Sequence, residues 1–89
     1  MDYQGIRVLV TGADGFIGSH LSHALVDQGA IVTALSLYNS FDAHGWLDDL
    51  PADVKSRLAL ERGDVRDAAF VRHIVRDQDI VFHLSLIHI

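Results

Sequence analysis

Val10-Thr11-Gly12-Ala13-Asp14-Gly15-Phe16-Ile17-Gly18 is the stretch on which the fold of this sequence turns. Its glycines are spaced G-x-x-G-x-x-G. Directly before it runs Ile6-Arg7-Val8-Leu9-Val10, short, β-branched and mostly apolar, the composition of a strand buried on both faces. Directly after it, Ile17, Leu21, Ala24, Leu25 and Gln28 fall on one face of a helix, apolar except at the last position, and Gly29 supplies a stop. A glycine triplet between a strand and an amphipathic helix is the setting in which such a loop holds phosphate. Gly12 permits the tight turn out of the strand, Gly15 lets the backbone approach a pyrophosphate, and Gly18 lets the helix pack closely on the sheet. Phe16 and Ile17, in the first helical turn, then offer backbone N–H groups and the positive end of the helix dipole to the phosphates.

Outward from this loop the pattern repeats. Ala30 to Leu37 is apolar and β-branched, a second strand. Tyr38 to Leu50 is less regular and reads as a loop with one short helical turn near Trp46–Leu50, interrupted by Pro51. Leu58-Ala59-Leu60-Glu61 is a third strand bounded by Gly63. Asp67 caps a helix whose apolar positions are Phe70, Val71, Ile74 and Val75. Asp79 to Leu84 is a fourth strand. The order is β-α-β-loop-β-α-β. Strands alternating with helices predict an α/β fold, with a parallel sheet, right-handed crossovers and helices on both faces. This order is the one expected of the N-terminal half of a Rossmann-type dinucleotide-binding domain. Residues 1–84 form the partial domain.

Composition narrows the function classes. With 89 residues and 49% hydrophobic positions, one small packed domain or a piece of one is expected. The formal charge is −5, and no basic stripe offers a footprint for nucleic acid. There is no Cys, which excludes disulfides and thiolate metal or redox sites. No apolar run reaches the length of a membrane span, and Met1-Asp2-Tyr3-Gln4 does not look like a signal peptide, so a soluble, cytoplasmic protein is expected. His20 and His23 share a helix face without further ligands nearby, and no metal site is expected. Asp14 is read as a turn residue, since its charge opposes a pyrophosphate. His83 is read as a packing or supporting histidine and Arg66 as a surface residue.

Three motifs in order resemble the extended short-chain dehydrogenase/reductases, the NAD-dependent epimerases and dehydratases. Val10 to Leu21, VTGADGFIGSHL, resembles the family's glycine loop. Gly63-Asp64-Val65-Arg66-Asp67 is similar to its G-D-[IV]-R-D after the third strand, and Val81-Phe82-His83-Leu84 to its V-[FI]-H-L-A-A at the fourth. The resemblance implies that Asp64 accepts a hydrogen bond from the adenine amino group, that the Val65 backbone meets the ring, and that Leu84 borders the cofactor. Ala34 to Phe41 and Gly45-Trp46-Leu47 resemble one branch, the bacterial nucleotide-sugar 4,6-dehydratases. Phe41 and Trp46 are read either as a small cluster over the sheet edge or as flanking the cofactor. The resemblance implies a nucleotide-sugar substrate and a homodimeric parent. A 4-epimerase or an inert dinucleotide-binding module is the alternative.

The coenzyme stays open between NAD and NADP. Folds that prefer NAD carry a carboxylate roughly 20 residues beyond the glycines. Counted against the family, Ser36 takes that place, which permits a 2′-phosphate. Yet no Arg or Lys lies between Gly12 and Pro51 to hold one. NAD(P) is therefore the expected cofactor, with the balance toward NADP.

The family's chemistry, by resemblance, needs a Tyr-x-x-x-Lys pair. Lys55 is the single Lys, the tyrosines are Tyr3 and Tyr38, and they form no such motif, so no catalytic residue is expected in this chain. After Leu84 the family pattern expects Ala-Ala, and Ser85-Leu86-Ile87-His88-Ile89 departs from it, which reads as a truncated or non-native tail. The 89-residue polypeptide alone is therefore expected to give no sugar product from UDP-sugars with NAD(P), and to lack a cooperative, monomeric denaturant transition. Turnover, or a sharp two-state transition, would contradict this.

Overall fold

The β-branched, apolar runs form strands and the 3.6-period segments form helices, in the order the pattern predicts. The computed structural model describes residues 3–13, 15–37 and 45–84, apart from the side chains of Leu37, Gly45 and Trp46. The expectations placed on Asp14, on the 38–44 loop with Phe41, on the Trp46 side chain and on the 85–89 tail lie outside the described residues. Strand β1 is Arg7–Thr11, helix α1 Phe16–Asp27, and strand β2 Ile31–Leu37. A 3-10 turn, Gly45–Asp49, occupies the place of the expected helical turn. Helix α2, Ala52–Ser56, follows, then β3 Leu58–Gly63, α3 Ala68–Val75 and β4 Ile80–His83. Helix α2 was not foreseen. Pro51 does not merely interrupt the chain there but stands as the N-cap of a five-residue helix.

All strand pairs are parallel, in the order β3-β2-β1-β4. The chain therefore steps from β1 outward to β3, then returns across the sheet to β4. Right-handed crossovers taken in opposite directions put their helices on opposite faces, and the core divides accordingly. Val8, Val10, Val32 and Ala34 pack with Leu25 and Val26 of α1, Leu47 of the 3-10 turn and Val54 of α2. Leu9 and Leu35, facing the other way by the two-residue period of a strand, pack with Ile74, Phe70 and Val75 of α3. Both faces of β1 and β2 are covered, which is why their sequences are apolar without alternation. Strand β4 forms the sheet edge among the described residues, and Val81 on it is exposed.

Two polar contacts hold the helices in register. Arg57 Nη2 donates to the Val26 carbonyl at 2.8 Å, tying the last turn of α1 to the start of β3. The Val26 carbonyl also accepts from Gly29 N at 3.0 Å, and the guanidinium adds a second, charged donor that matches the negative end of the helix dipole. Asp67 caps α3 as expected, its carboxylate accepting from Ala69 N and Phe70 N at 3.1 and 3.2 Å. Asp67→Ala should remove about 1 kcal/mol of stability, and Asp67→Asn should retain most of it. Urea midpoints of a completed parent enzyme carrying Asp, Ala or Asn at this position check this, with equal midpoints for Ala and Asn counting against the cap.

Candidate functional site

The strand order reverses at β1, with β2 on one side and β4 on the other. In open α/β sheets ligands bind in the crevice outside the carboxyl ends of the strands at such a switch point. Here that crevice lies between Gly12, just past β1, and Leu84, just past β4. Gly12 has φ +62°, the left-handed region, and a Cβ on it would sit 2.5 Å from the Leu84 carbonyl oxygen. A Cβ on Gly18 would run into the Gly12 carbonyl oxygen and approach Ala13 Cα to 2.8 Å. The loop is closed by Ala13 N donating to Leu35 O at 3.0 Å and Gly15 N to Gly12 O at 3.2 Å. Both glycine roles foreseen at Gly12 and Gly18 thus have a steric cause.

Gly15 is the N-cap of α1, with φ −78° and ψ 170°, and supplies no side-chain cap. No acidic residue stands in the first turn. The helix opens with outward N–H groups and a partial positive charge, and the flanking side chains leave it accessible: Phe16 is 56% and Ile17 70% exposed. Phe16 lies against the His20 ring, centroids 4.3 Å apart, and His20 Nδ1–H donates to the Phe16 carbonyl at 2.8 Å. This arrangement fits an anionic diphosphate: the backbone can be approached, the helix end is uncapped, and no carboxylate faces it among the described residues.

The far wall of the crevice is fixed by a contact between residues 72 positions apart. Thr11 Oγ1 and His83 Nδ1 share a 2.8 Å hydrogen bond, and Leu84 N donates to the same hydroxyl at 3.0 Å. His83, read as a packing or supporting histidine, is exposed and ties β4 to β1 beside Gly12. No sequence signal points to its partner. Below it, between α3 and the sheet, lies an apolar cavity of about 160 Å³ lined by Leu9, Leu35, Val71 and Val81 among others. Thr11, Val65 and His83 also line it.

Ser36, at the end of β2, is fully buried, and its hydroxyl donates to the Glu61 carbonyl at 3.4 Å. Asp64 and Val65 follow β3 at the same edge of the sheet, and Val65 is exposed. Arg66, read as a surface residue, is 86% exposed but grips the Asp64 carboxylate. Oδ1 accepts from Arg66 N and Nε at 2.8 and 3.0 Å, and Oδ2 from Nε and Nη2 at 3.0 and 2.7 Å. Among the described residues, no group of three His, Cys, Asp or Glu side chains could hold a metal ion, and no helix is long and apolar enough to cross a membrane.

The hydrogen bonds from Arg66, side chain first and backbone second, hold the Asp64 carboxyl down at about 2 against an ordinary 3.8. Because the folded-state value is depressed, the stabilisation from this pair is present above the ordinary carboxylate range and is lost as pH falls through about 2. Carbon-detected NMR should place the Asp64 midpoint near 2, and Arg66→Gln should return it toward 3.8. A midpoint that does not move in the variant would refute the pairing.

The comparisons agree with this geometry. The sequence profile of the GDP-mannose 4,6 dehydratase family matches residues 9–86. The dTDP-glucose 4,6-dehydratase of Mycolicibacterium smegmatis is 34% identical over 80 residues, which are 90% of this chain and 24% of that enzyme. The epimerase Mth375 of Methanothermobacter thermautotrophicus superposes with a TM-score of 0.74 at 31% identity, over 96% of this chain and 24% of that one. MoeE5, solved in complex with UDP-glucuronic acid and NAD, superposes with a TM-score of 0.64 at 33% identity, over 91% of this chain and 23% of that one. The chain thus spans about a quarter of the length of the relatives it matches. With a Rossmann-type half-sheet, a glycine loop at its switch point and a family match across most of its length, the chain belongs to the GDP-mannose 4,6 dehydratase family of epimerases and dehydratases, within the extended short-chain dehydrogenase/reductases.

Proposed function

We propose that this chain is the NAD(P)-binding portion of a nucleotide-sugar 4,6-dehydratase. The observation that carries the reading is the uncapped start of α1 standing over a crevice between Gly12 and Leu84 that leaves no room for side chains. Within it, Gly12, Gly15 and Gly18 admit the pyrophosphate, and Phe16 and Ile17 face it with backbone N–H groups. Leu84 walls the crevice on the β4 side, and Asp64 and Val65 border the adenine. Ser36 stands one residue before the end of β2, the strand whose end faces the adenosine ribose. The coenzyme supplies hydride acceptance and return: the sugar is oxidised at C4, water is eliminated across C5–C6, and the hydride is given back. The dTDP-glucose 4,6-dehydratase relative supports the dehydratase reading. The epimerase neighbour supports a second one, a 4-epimerase sharing the C4 oxidation.

Gly15 separates binding from folding. Its backbone angles suit any residue, so Gly15→Val in a completed parent enzyme should leave the unfolding midpoint nearly unchanged. The added methyls stand where the backbone meets the pyrophosphate, so the affinity for ADP-ribose should fall by two orders of magnitude or more, about 3 kcal/mol. Isothermal titration of ADP-ribose against both proteins reads this, and undiminished affinity in a folded variant would remove the loop from the binding site.

A further inference from the structure

We propose that Arg66 is a specificity-determining residue of the adenine end, one that competes with the adenine amino group for the Asp64 carboxylate. The proposal rests on the dinucleotide reading above, in which Asp64 borders the adenine, and deepens it to how strongly that amino group is read. An ionised carboxylate offers about four lone-pair positions, two on each oxygen. Arg66 alone makes four hydrogen bonds to them. Its backbone N and Nε donate to Oδ1 at 2.8 and 3.0 Å, and its Nε, shared between the oxygens, and Nη2 donate to Oδ2 at 3.0 and 2.7 Å. An exocyclic amino group arriving here meets an acceptor that one residue already saturates. To be bound at full strength it must displace the guanidinium.

The surroundings decide which group gives way. The backbone of the turn is fixed from both sides. Gly63 lies so close to the Phe70 ring that a Cβ on it would overlap the ring. Asp67 N donates to the Asp64 carbonyl at 3.0 Å, while the Asp67 carboxylate caps α3. Asp64 therefore stays where the turn puts it. The Arg66 side chain has no such anchor. It is 86% exposed, against 37% for Asp64. An exposed ion pair is weak and screened by salt, so the guanidinium swings into water at small cost. The bond from Arg66 N to Oδ1 belongs to the backbone and remains when the side chain leaves. Its departure frees Oδ2 and one position on Oδ1. Val65, between the two residues, is exposed and leaves the approach to this edge open. Release of one side chain thus opens the acceptor without any backbone movement.

The test compares AMP with purine riboside 5′-monophosphate, two ligands that differ only in the amino group, by isothermal titration into a completed parent enzyme. The ratio of their affinities cancels the attraction of any cation for the phosphate. Arg66→Ala should raise the preference for AMP by about 3-fold, the scale of one exposed ion pair. The double variant Asp64→Ala/Arg66→Ala should lose that gain. Added salt, which weakens the pair, should raise the preference in the unaltered enzyme and not in Arg66→Ala. The salt series on the unaltered enzyme needs no variant, so it holds whether or not Arg66→Ala folds well. A preference that is unchanged or lowered in Arg66→Ala, or that does not rise with salt in the unaltered enzyme, overturns the competition and leaves the dinucleotide reading standing. A gain that survives in the double variant shows that Asp64 is not the acceptor and overturns the proposal as well. If neither ligand binds the unaltered enzyme, the dinucleotide reading fails and this proposal falls with it.

Discussion

Backbone meets backbone at Gly12. The turn out of β1, the carbonyl of Leu84 at the end of β4 and the first turn of α1 come so close that a Cβ on Gly12 or Gly18 has no place to go. This approach sets the angle of α1 over the sheet and brings its uncapped N-terminus to the strand-order reversal. A side chain here would lift the helix away from the sheet and separate β1 from β4. Much of the rest serves the same contact. Thr11, His83 and Leu84 fasten the two strand ends on one side, and Ala13 N bonds across to Leu35 O on the other.

The packing beneath supports this geometry unevenly. Strands β1 and β2 are covered on both faces, by α1, α2 and the 3-10 turn on one side and by α3 on the other. Strand β4 is the weakest member, with an exposed Val81 and no partner strand beyond it among the described residues. An apolar edge of this kind is a template for pairing with another chain. The crevice thus has one firmly packed wall, β1 with α1, and one wall held chiefly by its β1 pairing and the Thr11–His83 contact.

Local features were legible in the sequence. The glycine spacing, the doubly apolar strands and the Asp67 cap depend on neighbours along the chain, and each stands within a residue or two of its expected place. Helix α2 was missed because five residues behind a proline carry too little periodicity to register. What depends on distant pairing could not be read. The partnership of Thr11 with His83 spans 72 positions. The neighbourhood of Ser36 and Arg62 exists only once β2 and β3 are aligned. Ser36 was recognised by its place in the family pattern, but its full burial follows from that alignment and from the elements packed over it. The grip of Arg66 on Asp64 was within reach, since the two lie two residues apart in one motif, but sequence does not show whether such a pair closes.

The central claim is that the phosphate groups of a dinucleotide sit at the start of α1, in the crevice between β1 and β4. Amide chemical-shift mapping during an NAD(P) titration tests it most directly. The account predicts that the largest shifts fall on Gly15, Phe16, Ile17 and Gly18, with smaller ones at Leu84 and Val65. Gly5, Gly29 and Asp79, at the opposite end of the sheet, should stay still. Shifts centred on Val71, Ile74 and Val75 of α3, or spread over the amino end of the strands, would contradict it.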